Sequence, residues 1–359
     1  MGRLEAVMRK RTTLKDVAQE AGVTAATVSY VINNTPGQSI RPETRKRVLQ
    51  AARRLNYMPN AHARTLRSRN VPCVGVVLRR NLSVPRFSQM AFGIQTRLEE
   101  DGYNVLLLGN RTDALGHADY ASAYLAGRVG GIIFIGIENE GPDAESLKVL
   151  SDESAPLVVF DCQQQADTYS TVDLDYSGGA RLITSRVLER GCRRVVYLRP
   201  RIDTAQERLR EQGVRDMCET SGAELLVREA PVDLHNIDVW DERYTVGNTE
   251  DGLKLSEELM ETARGVLEEA RDGDAVITSW ATWTHFFRKV APERRLVYAE
   301  LANNGENWLA ADFYTRLPNY ETGIACAEEI LSLMRGNAPS ARIIKLTNVI
   351  EPRLEPRQH

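Results

Sequence analysis

The sequence predicts a basic, all-α unit at the N-terminus, followed by a larger α/β unit that contains parallel sheets. Charge is the first indication: residues 1–70 hold 14 Lys or Arg and 4 Asp or Glu, a net +10, whereas the whole chain carries −3. The second is a change of pattern at Val71, where short β-branched runs begin to alternate with longer amphipathic segments. A length of 359 residues also fits two or three domains.

A basic segment on an acidic body indicates that only the N-terminal unit meets a polyanion, although a solvated basic helix face is the alternative. With 42% hydrophobic and 26% charged residues, the composition excludes disordered and fibrous proteins. No apolar run approaches the roughly 18 residues that a membrane span needs, and no secretory signal opens the chain. We therefore expect a cytoplasmic protein that does not cross a membrane.

The five cysteines are odd in number, far apart and without a Cys-x-x-Cys pair. This spacing argues against both disulfides and a zinc site. The sequence also lacks a phosphate-binding glycine loop, a Gly-x-Ser-x-Gly elbow and a His-Glu-x-x-His motif. We therefore expect neither a cofactor nor an enzymatic activity.

The N-terminal unit shows the pattern of three short helices. Thr13 and Asp16 fit a capping box that starts the first helix, and Gly22 can adopt the positive φ of the turn that follows. Thr24 can cap a second helix, and Pro42 opens a third. Two helices joined by a three-residue turn form a helix-turn-helix, whose second helix can place its first residues in a DNA major groove.

Longer strings in this unit resemble one protein family. They are Thr13-Leu14-Lys15-Asp16-Val17-Ala18, Thr27-Val28-Ser29-Tyr30-Val31-Ile32-Asn33, Arg41-Pro42-Glu43-Thr44-Arg45 and Leu55-Asn56-Tyr57-x-Pro59-Asn60. On these motifs the chain is similar to the lactose-repressor and galactose-repressor (LacI/GalR) family of bacterial transcription regulators. The resemblance implies a DNA-binding domain at 1–58, a hinge helix at 59–70 that orders on DNA, and an effector-binding and dimerisation domain at 71–359.

The same resemblance implies DNA contacts at particular residues. Major-groove contacts fall on Ala25, Ala26 and Tyr30, and phosphate contacts fall on Thr24, Thr27, Ser29 and Asn33. In the hinge, Leu66 matches the family's minor-groove wedge, with Arg67 beside it. Two alanines offer only methyl contacts, so Tyr30 would supply much of the remaining base recognition by this helix.

In the acidic body, strand-like runs alternate with helical segments. The strand-like runs are 73–78, 105–108, 132–135, 157–160, 195–198, 275–278 and 296–299, and the helical segments are 88–100, 118–125, 177–189, 204–219, 253–271 and 320–334. This alternation predicts a doubly wound α/β architecture, and about 290 residues favour two sheets over one. Ligands in such folds bind at the carboxyl ends of the strands, here in a cleft between two lobes.

The body resembles the family's effector domain, which is built like a periplasmic sugar-binding protein. This implies lobe one from 71–174 plus 318–336, and lobe two from 175–317 plus 337–359. It implies an effector pocket at Arg86, Phe87, Asp161, Arg210 and Glu300, with Trp280 where the family usually carries a polar residue. Arginines and carboxylates suit hydrogen bonding to sugar hydroxyls or to a charged group, and Phe87 can stack on an apolar face.

Two further positions depart from the family, since Tyr176 replaces its usual Asn and Cys192 its usual His. A simple sugar, a larger or more aromatic ligand and no ligand at all therefore remain open. The sequence predicts a homodimeric repressor that binds a pseudo-palindromic double-stranded DNA operator and responds to a small-molecule effector. The alternatives are an effector-independent regulator and a small-molecule binding protein without DNA function. The basic N-terminal unit argues against the last of these.

Overall fold

The structure is a computed structural model of the 359-residue chain. It describes residues 13–32, 35, 39–55, 73–109, 111–112, 118–136, 141–163, 167–242, 245–247, 249–305 and 310–352. Contacts divide the chain into two compact units, residues 1–70 and residues 71–359. Within the described ranges, no helix is both long enough and apolar enough to cross a membrane.

The described part of the N-terminal unit contains helices α1 (Leu14–Ala21), α2 (Ala25–Ile32) and α3 (Pro42–Arg54). Helix α1 begins at the predicted capping box, in which Thr13 Oγ1 accepts a hydrogen bond from Asp16 N and Asp16 Oδ2 accepts one from Thr13 N at 2.7 Å. It ends at Gly22, whose φ of 62° lies in the left-handed region that favours glycine. The prediction of a helix-turn-helix is confirmed.

A small apolar core holds these three helices together. Each helix contributes one fully buried valine, Val17 from α1, Val28 from α2 and Val48 from α3. Burying a valine side chain contributes at least about 1.5 kcal/mol, so these three contacts are a large share of what so small a unit can gain. The core fixes the orientation of α2 and so decides which of its side chains face solvent.

Lobe one of the body is built on a six-stranded parallel sheet with strand order β11-β5-β4-β3-β1-β2. Helices cover both faces of this sheet, which is why every residue of β3 and β4 is buried. Its strands are β1 (Cys73–Val77), β2 (Asn104–Leu108), β3 (Ile132–Ile135), β4 (Leu157–Phe160), β5 (Ser170–Asp175) and β11 (Ala341–Lys345), and its helices are α4 (Pro85–Glu100), α5 (Asp119–Leu125), α6 (Ala144–Asp152) and α12 (Asn319–Met334).

Lobe two has a second six-stranded sheet, with strand order β12-β10-β9-β8-β6-β7. All neighbouring strands in it are parallel except β12, which runs antiparallel to β10. Its strands are β6 (Arg194–Pro200), β7 (Glu224–Ala230), β8 (Ala275–Thr278), β9 (Val297–Asn303), β10 (Phe313–Arg316) and β12 (Val349–Ile350), and its helices are α7 (Tyr176–Glu189), α8 (Ala205–Ser221), α9 (Ile237–Glu242), α10 (Glu250–Glu269) and α11 (Trp283–Val290).

Helix α12 returns to lobe one after β10 and is fixed there by close contact with α4. A Cβ at Gly93 would lie 2.1 Å from Tyr320 O, and a Cβ at Gly323 would lie 2.2 Å from Met90 O. Only glycine allows the two backbones to approach this closely. The sequence predicts that the chain returns from lobe two to lobe one in this helix, and the close contact between α4 and α12 holds the returning helix in place.

The C-terminal segment differs from the prediction, which assigned all of 337–359 to lobe two. Strand β11 instead joins the edge of the lobe-one sheet, where it pairs with β5 and Ser340 N donates to Ser170 Oγ at 3.0 Å. Its side chains are mostly exposed, so backbone hydrogen bonds create the pairing and leave little apolar pattern in the sequence. The chain passes to lobe two only beyond Leu346, which is buried in the lobe-one core.

Candidate functional site

Helix α2 of the N-terminal unit presents a small and an aromatic side chain to solvent. Ala26 and Tyr30 are both exposed, and a separation of four residues puts them on one face of the helix. Ala25 is half-buried and packs against the core of the unit. The exposed face of α2 therefore contains two of the three residues for which the sequence predicts base contacts.

The first turn of α2 carries two hydroxyl groups. Thr27 N donates to Thr24 Oγ1 at 3.2 Å, so Thr24 caps the helix as predicted, and the two hydroxyl oxygens lie 2.9 Å apart. Ser29 is half-buried on the same helix. Asn33, Leu66 and Arg67, together with the whole segment 59–70, lie outside the described residues.

In the body, a cavity of about 160 Å³ lies between the two lobes, at the carboxyl ends of their strands. This is far more than the roughly 10–15 Å³ that one water needs, so the cavity can hold a small molecule. Charged, amide and aromatic side chains share its wall. They are Arg80, Arg86, Asp161, Gln206, Glu207, Arg210, Asn304 and Asp241, with the rings of Phe87, Trp240 and Trp280.

A pair of oppositely charged side chains from lobe one forms one side of the cavity. Arg86 follows β1, Asp161 follows β4, and Arg86 Nη2 donates to Asp161 Oδ2 at 2.5 Å. Asp161 has a φ of 61°, a left-handed conformation that Asp and Asn tolerate better than most residues. Although burial lowers the pKa of the Arg86 guanidinium, the neighbouring Tyr176 and Asp161 outweigh it and raise that pKa above its ordinary value. Arg86 therefore stays charged.

Tyr176, the first residue of α7, touches charged residues of both lobes. Its hydroxyl donates to Asp161, whose two carboxylate oxygens lie 2.9 Å away, and it accepts from Arg86 Nη2 at 3.0 Å. The Arg210 guanidinium of lobe two lies over its ring, 4.5 Å from the centroid. Burial raises the pKa of this tyrosine above its ordinary value, so its hydroxyl keeps its proton. Asp175 Oδ1 caps α7 by accepting a hydrogen bond from Gly178 N.

A second cluster of side chains, from lobe two, surrounds the carboxylate of Glu207. This carboxylate is buried, and it accepts hydrogen bonds from Arg210, from Ser279 Oγ at 2.5 Å and from Trp280 Nε1 at 2.9 Å. Arg210 follows Glu207 by one helical turn on α8, which places both side chains on the same face. Glu207 therefore neutralises Arg210 and orients the Trp280 indole at the same time.

An ion pair between the two lobes forms part of the cavity wall. Arg80, which follows β1, donates from Nη2 to Asp241 Oδ2 at 2.7 Å, and both side chains are 12% exposed. Asp241 lies on α9, and Trp240 beside it lines the cavity while packing edge-on against Trp283. Asn81 also donates to Thr245, just beyond α9. The segment around α9 is thus attached to lobe one.

Of the six predicted pocket residues, Glu300 alone does not line the cavity among the residues the structure describes. It is fully buried on β9, and its carboxylate accepts from Thr282 N at 3.1 Å, from Thr284 Oγ1 at 2.5 Å and from Asn303 Nδ2 at 2.7 Å. The prediction of a direct ligand contact fails because this carboxylate holds the turn after Trp280. The other five, Arg86, Phe87, Asp161, Arg210 and Trp280, line the cavity.

Sequence reasoning missed Glu207, Arg80 and Asp241, and it noted Tyr176 only as a departure from the family. A carboxylate one turn before Arg210 was a detectable signal for Glu207. Nothing local marks Arg80 or Asp241, because 161 residues separate the two partners in the chain. Among the described residues, no cluster of His, Cys, Asp or Glu could hold a metal ion.

Among the polar atoms that are buried without a hydrogen-bond partner in the described part of the chain are Arg86 Nε, Arg210 Nε and Gln206 Oε1, all from residues that line the cavity. Gln206 uses its other amide atom, Nε2, to donate to Asp161 O at 2.6 Å across the lobes. Buried polar groups normally find a partner, so these three atoms are exceptions within the walls of the cavity.

The fold and the cavity define a class of protein in which one chain carries a helix-turn-helix unit and a two-lobed binding-protein body. The family model "Bacterial regulatory proteins, lacI family" matches residues 13–60, and "Periplasmic binding proteins and sugar binding domain of LacI family" matches residues 71–236. Together these matches span more than half of the chain, which belongs to the LacI/GalR family.

Curated relatives include catabolite control protein A of Staphylococcus xylosus, which is 33% identical over 187 residues that cover 52% of this chain and 55% of that protein. The protein of the same name from Staphylococcus epidermidis is 34% identical over 182 residues, covering 50% and 53%. The chain therefore spans about half the length of the curated relatives it matches.

Solved structures match over nearly the whole chain. The lac repressor dimer bound to operator and the anti-inducer ONPF has a TM-score of 0.71 and 18% identity, covering 95% of this chain and 98% of that one. A complex of the transcriptional regulator CelR with cellobiose has a TM-score of 0.57 and 23% identity, with the same coverage. At these identities the likeness is one of fold, and the predicted fold class is confirmed.

Proposed function

We propose that this protein is a sequence-specific DNA-binding transcription regulator, a repressor, which a small molecule in the inter-lobe cavity controls. One observation carries the proposal: a single chain joins a helix-turn-helix with an exposed recognition face to a cavity lined by ion pairs and aromatic rings. We place the protein in the cytoplasm, where it would act by binding DNA and a small molecule and would need no catalytic group.

The N-terminal unit supplies what DNA binding requires. Its net +10 charge provides the phosphate attraction, and the exposed side chains on α2 provide groups that can reach base edges. We assign base contacts to Ala25, Ala26 and Tyr30, phosphate contacts to Thr24, Thr27, Ser29 and Asn33, and minor-groove contacts to Leu66 and Arg67. The related lac repressor structure, which is bound to operator, supports this arrangement.

The cavity supplies the control. A ligand held between Arg86, Phe87 and Asp161 of lobe one and Arg210 and Trp280 of lobe two contacts both lobes at once, so it changes the free energy of one lobe arrangement relative to another. The family's sugar-binding domain and the CelR complex with cellobiose favour a carbohydrate or a molecule of similar polarity. We assign Glu300 to support of the Trp280 turn.

A homodimer completes the proposal because a pseudo-palindromic operator needs two recognition helices. Two adjacent elements of lobe one expose large apolar side chains: Phe92 on α4 is 62% exposed, and Leu107 on the edge strand β2 is 50% exposed. Phe92 also packs against Tyr320 of α12, with ring centroids 5.6 Å apart. We assign the lobe-one part of the dimer interface to this surface.

Selection of genomic DNA fragments with the purified full chain tests the proposed function. We expect one pseudo-palindromic site, whose affinity for the protein changes with one member of a panel of sugars and other metabolites. Specific binding that no metabolite alters would favour an effector-independent regulator. Failure to select any site would contradict the regulator and favour a small-molecule binding protein.

A further inference from the structure

The charged residues that line the described part of the cavity are paired one to one. Arg86 pairs with Asp161, Arg210 with Glu207, and Arg80 with Asp241. Three guanidinium groups therefore meet three carboxylates, and this part of the lining has no net charge. The first two pairs face each other from the two lobes, with the Tyr176 ring between them.

We infer that Asp161 and Glu207 are specificity-determining residues, because as built-in counter-ions they exclude anionic ligands such as phosphorylated sugars and carboxylates. This inference rests on the proposed function, in which the cavity binds the effector. The ligand that fits is an uncharged polar molecule with an apolar face. Arginine is otherwise the side chain best suited to capture a phosphate or carboxylate through two parallel hydrogen bonds.

Asp161 and Glu207 can exclude anionic ligands because both carboxylates are buried. The side chains of Asp161 and Glu207 are 5% and 3% exposed, so water cannot take over the role of the arginines. An anion that captured Arg210 would leave the Glu207 carboxylate buried beside a second negative charge, which is strongly unfavourable. Glu207 would also lose the geometry with which it orients the Trp280 indole.

The remaining hydrogen-bonding capacity suits an uncharged ligand. Arg86 Nε and Arg210 Nε are donors without partners, and Gln206 Oε1 is an acceptor without one. A hydroxyl group can both donate and accept, so a polyhydroxylated ligand satisfies either kind of atom once a side-chain rotation exposes that atom to the cavity. Phe87 and Trp280 provide apolar surfaces on opposite lobes for its less polar face.

Two conservative substitutions test the inference. Glu207→Gln keeps an acceptor for Trp280 Nε1 but removes the negative charge beside Arg210. In the other lobe, Asp161→Asn keeps an acceptor for Arg86 but removes the negative charge beside it. Asparagine tolerates the left-handed φ of 61° at this position, so the backbone is retained. Glu211→Gln is the matched control, because Glu211 lies one turn further along α8 and pairs with Arg199 and Arg215 away from the cavity lining.

The probe is inorganic phosphate, titrated into the full chain without DNA at constant ionic strength, with binding followed by calorimetry and by tryptophan fluorescence. Trp240 and Trp280 line the cavity and report on its occupation. We expect no saturable phosphate binding by the unmodified chain or by Glu211→Gln. Glu207→Gln and Asp161→Asn should each bind phosphate with a dissociation constant at least about tenfold below the highest concentration in the titration, because each frees an arginine.

Equal phosphate binding by all four proteins would overturn the inference. The inference would also be overturned if Glu207→Gln and Asp161→Asn bound phosphate no better than the unmodified chain while near-ultraviolet circular dichroism showed that they were folded. The two variants lie in different lobes, so a folding defect in one leaves the other as the test. Operator binding and its response to metabolites are measured separately. A failure in those assays counts against the proposed function, whereas a failure of the phosphate titration counts only against the charge selectivity.

Discussion

Arg80 and Asp241 join the two lobes across the cavity: Arg80 Nη2 lies 2.7 Å from Asp241 Oδ2, although 161 residues separate them in the chain. Asp241 is carried by α9, whose Trp240 lines the cavity, so this ion pair holds an aromatic wall of lobe two against lobe one. The cavity therefore has a closing contact that is made by the protein itself.

Replacement of Asp241 by alanine should loosen this contact. We expect Asp241→Ala to lower the free energy of unfolding by about 1–3 kcal/mol, because it removes a partner from a nearly buried guanidinium. We also expect acrylamide to quench tryptophan fluorescence more strongly, since Trp240 and Trp280 become more accessible. Asp238→Ala is the control: Asp238 lies 3.6 Å from Arg80, but its side chain is 88% exposed. Equal quenching in the two variants would contradict the closing role.

Arg210 should be essential for the response to ligand and dispensable for DNA binding. We expect Arg210→Ala to abolish the effect of the metabolite on operator binding while operator affinity is retained, as measured by fluorescence anisotropy with labelled DNA. The substitution should also cost about 3–5 kcal/mol of stability, because it leaves Glu207 buried without its counter-ion.

The Arg210 prediction has two matched controls. Arg208→Ala removes an exposed arginine of the same helix, which pairs with Asp203 outside the cavity, and should change nothing. Removing Glu207 together with Arg210 should recover most of the lost stability without restoring the ligand response. A normal response in Arg210→Ala would place this residue outside the binding site.

Asp173 on β5 should make the body less stable as pH rises. Burial, and then the charge of Asp161, raises the pKa of Asp173 to about 6 despite a hydrogen bond from Gln163 N. Between about pH 4 and pH 6 the folded chain holds this proton while the unfolded chain loses it, so stability falls as pH rises through that window. At pH 7 the full cost is present, and Asp173→Asn should raise stability by about 1–2 kcal/mol.

Urea unfolding at pH 7 and pH 4 measures this effect directly. The difference between Asp173→Asn and the unmodified chain should be largest at pH 7 and small at pH 4. Asp167→Asn, at an exposed position nearby, is the control and should be neutral. A destabilised Asp173→Asn protein at pH 7 would contradict the assignment.

Charge placed on the proposed dimer surface should separate the subunits. We expect Phe92→Lys and Leu107→Lys each to weaken dimerisation by at least about tenfold, as measured by analytical ultracentrifugation, because a lysine cannot be buried there without a partner. Ile343→Lys is the control, since Ile343 is 65% exposed at β11, the opposite edge of the same sheet. Equal dissociation in all three variants would show that the interface lies elsewhere.

Leu66 lies outside the described residues, and its assignment as a minor-groove wedge rests on the resemblance of the sequence. We expect Leu66→Ala to weaken operator binding by roughly tenfold or more, because the wedge stabilises the kinked site. The melting temperature of the body should not change. Unaltered operator affinity would remove the wedge assignment.

The parts of the fold that were predictable are those with local signals. The capping box at Thr13 and the left-handed turn at Gly22 are formed by neighbouring residues, so the helix-turn-helix could be recognised from the chain alone. Strands β3 and β4 were equally clear as short apolar runs. Strand β5 was missed because Ser170–Asp175 is largely polar in sequence, and it is buried only because β4 and β11 flank it.

The candidate site was predictable only for the residues that a local sequence signal marks. The family resemblance placed Arg86 and Asp161 after recognisable strands and Arg210 three residues before Gly213. The role of Glu207 depends on three partners that tertiary packing brings together, Arg210, Ser279 and Trp280. Glu300 shows the converse: a carboxylate after a strand was expected to face ligand, but buried donors around it take up both its oxygens.

The most direct test of the account is the affinity of the full chain for its selected operator and for unrelated DNA, over a series of salt concentrations and with each metabolite of the panel. We predict specific binding at least about 10³-fold tighter than binding to unrelated DNA, a steep decrease with salt, and a shift caused by one uncharged metabolite. Equal affinity for operator and unrelated DNA would contradict the central claim that this protein is a sequence-specific regulator.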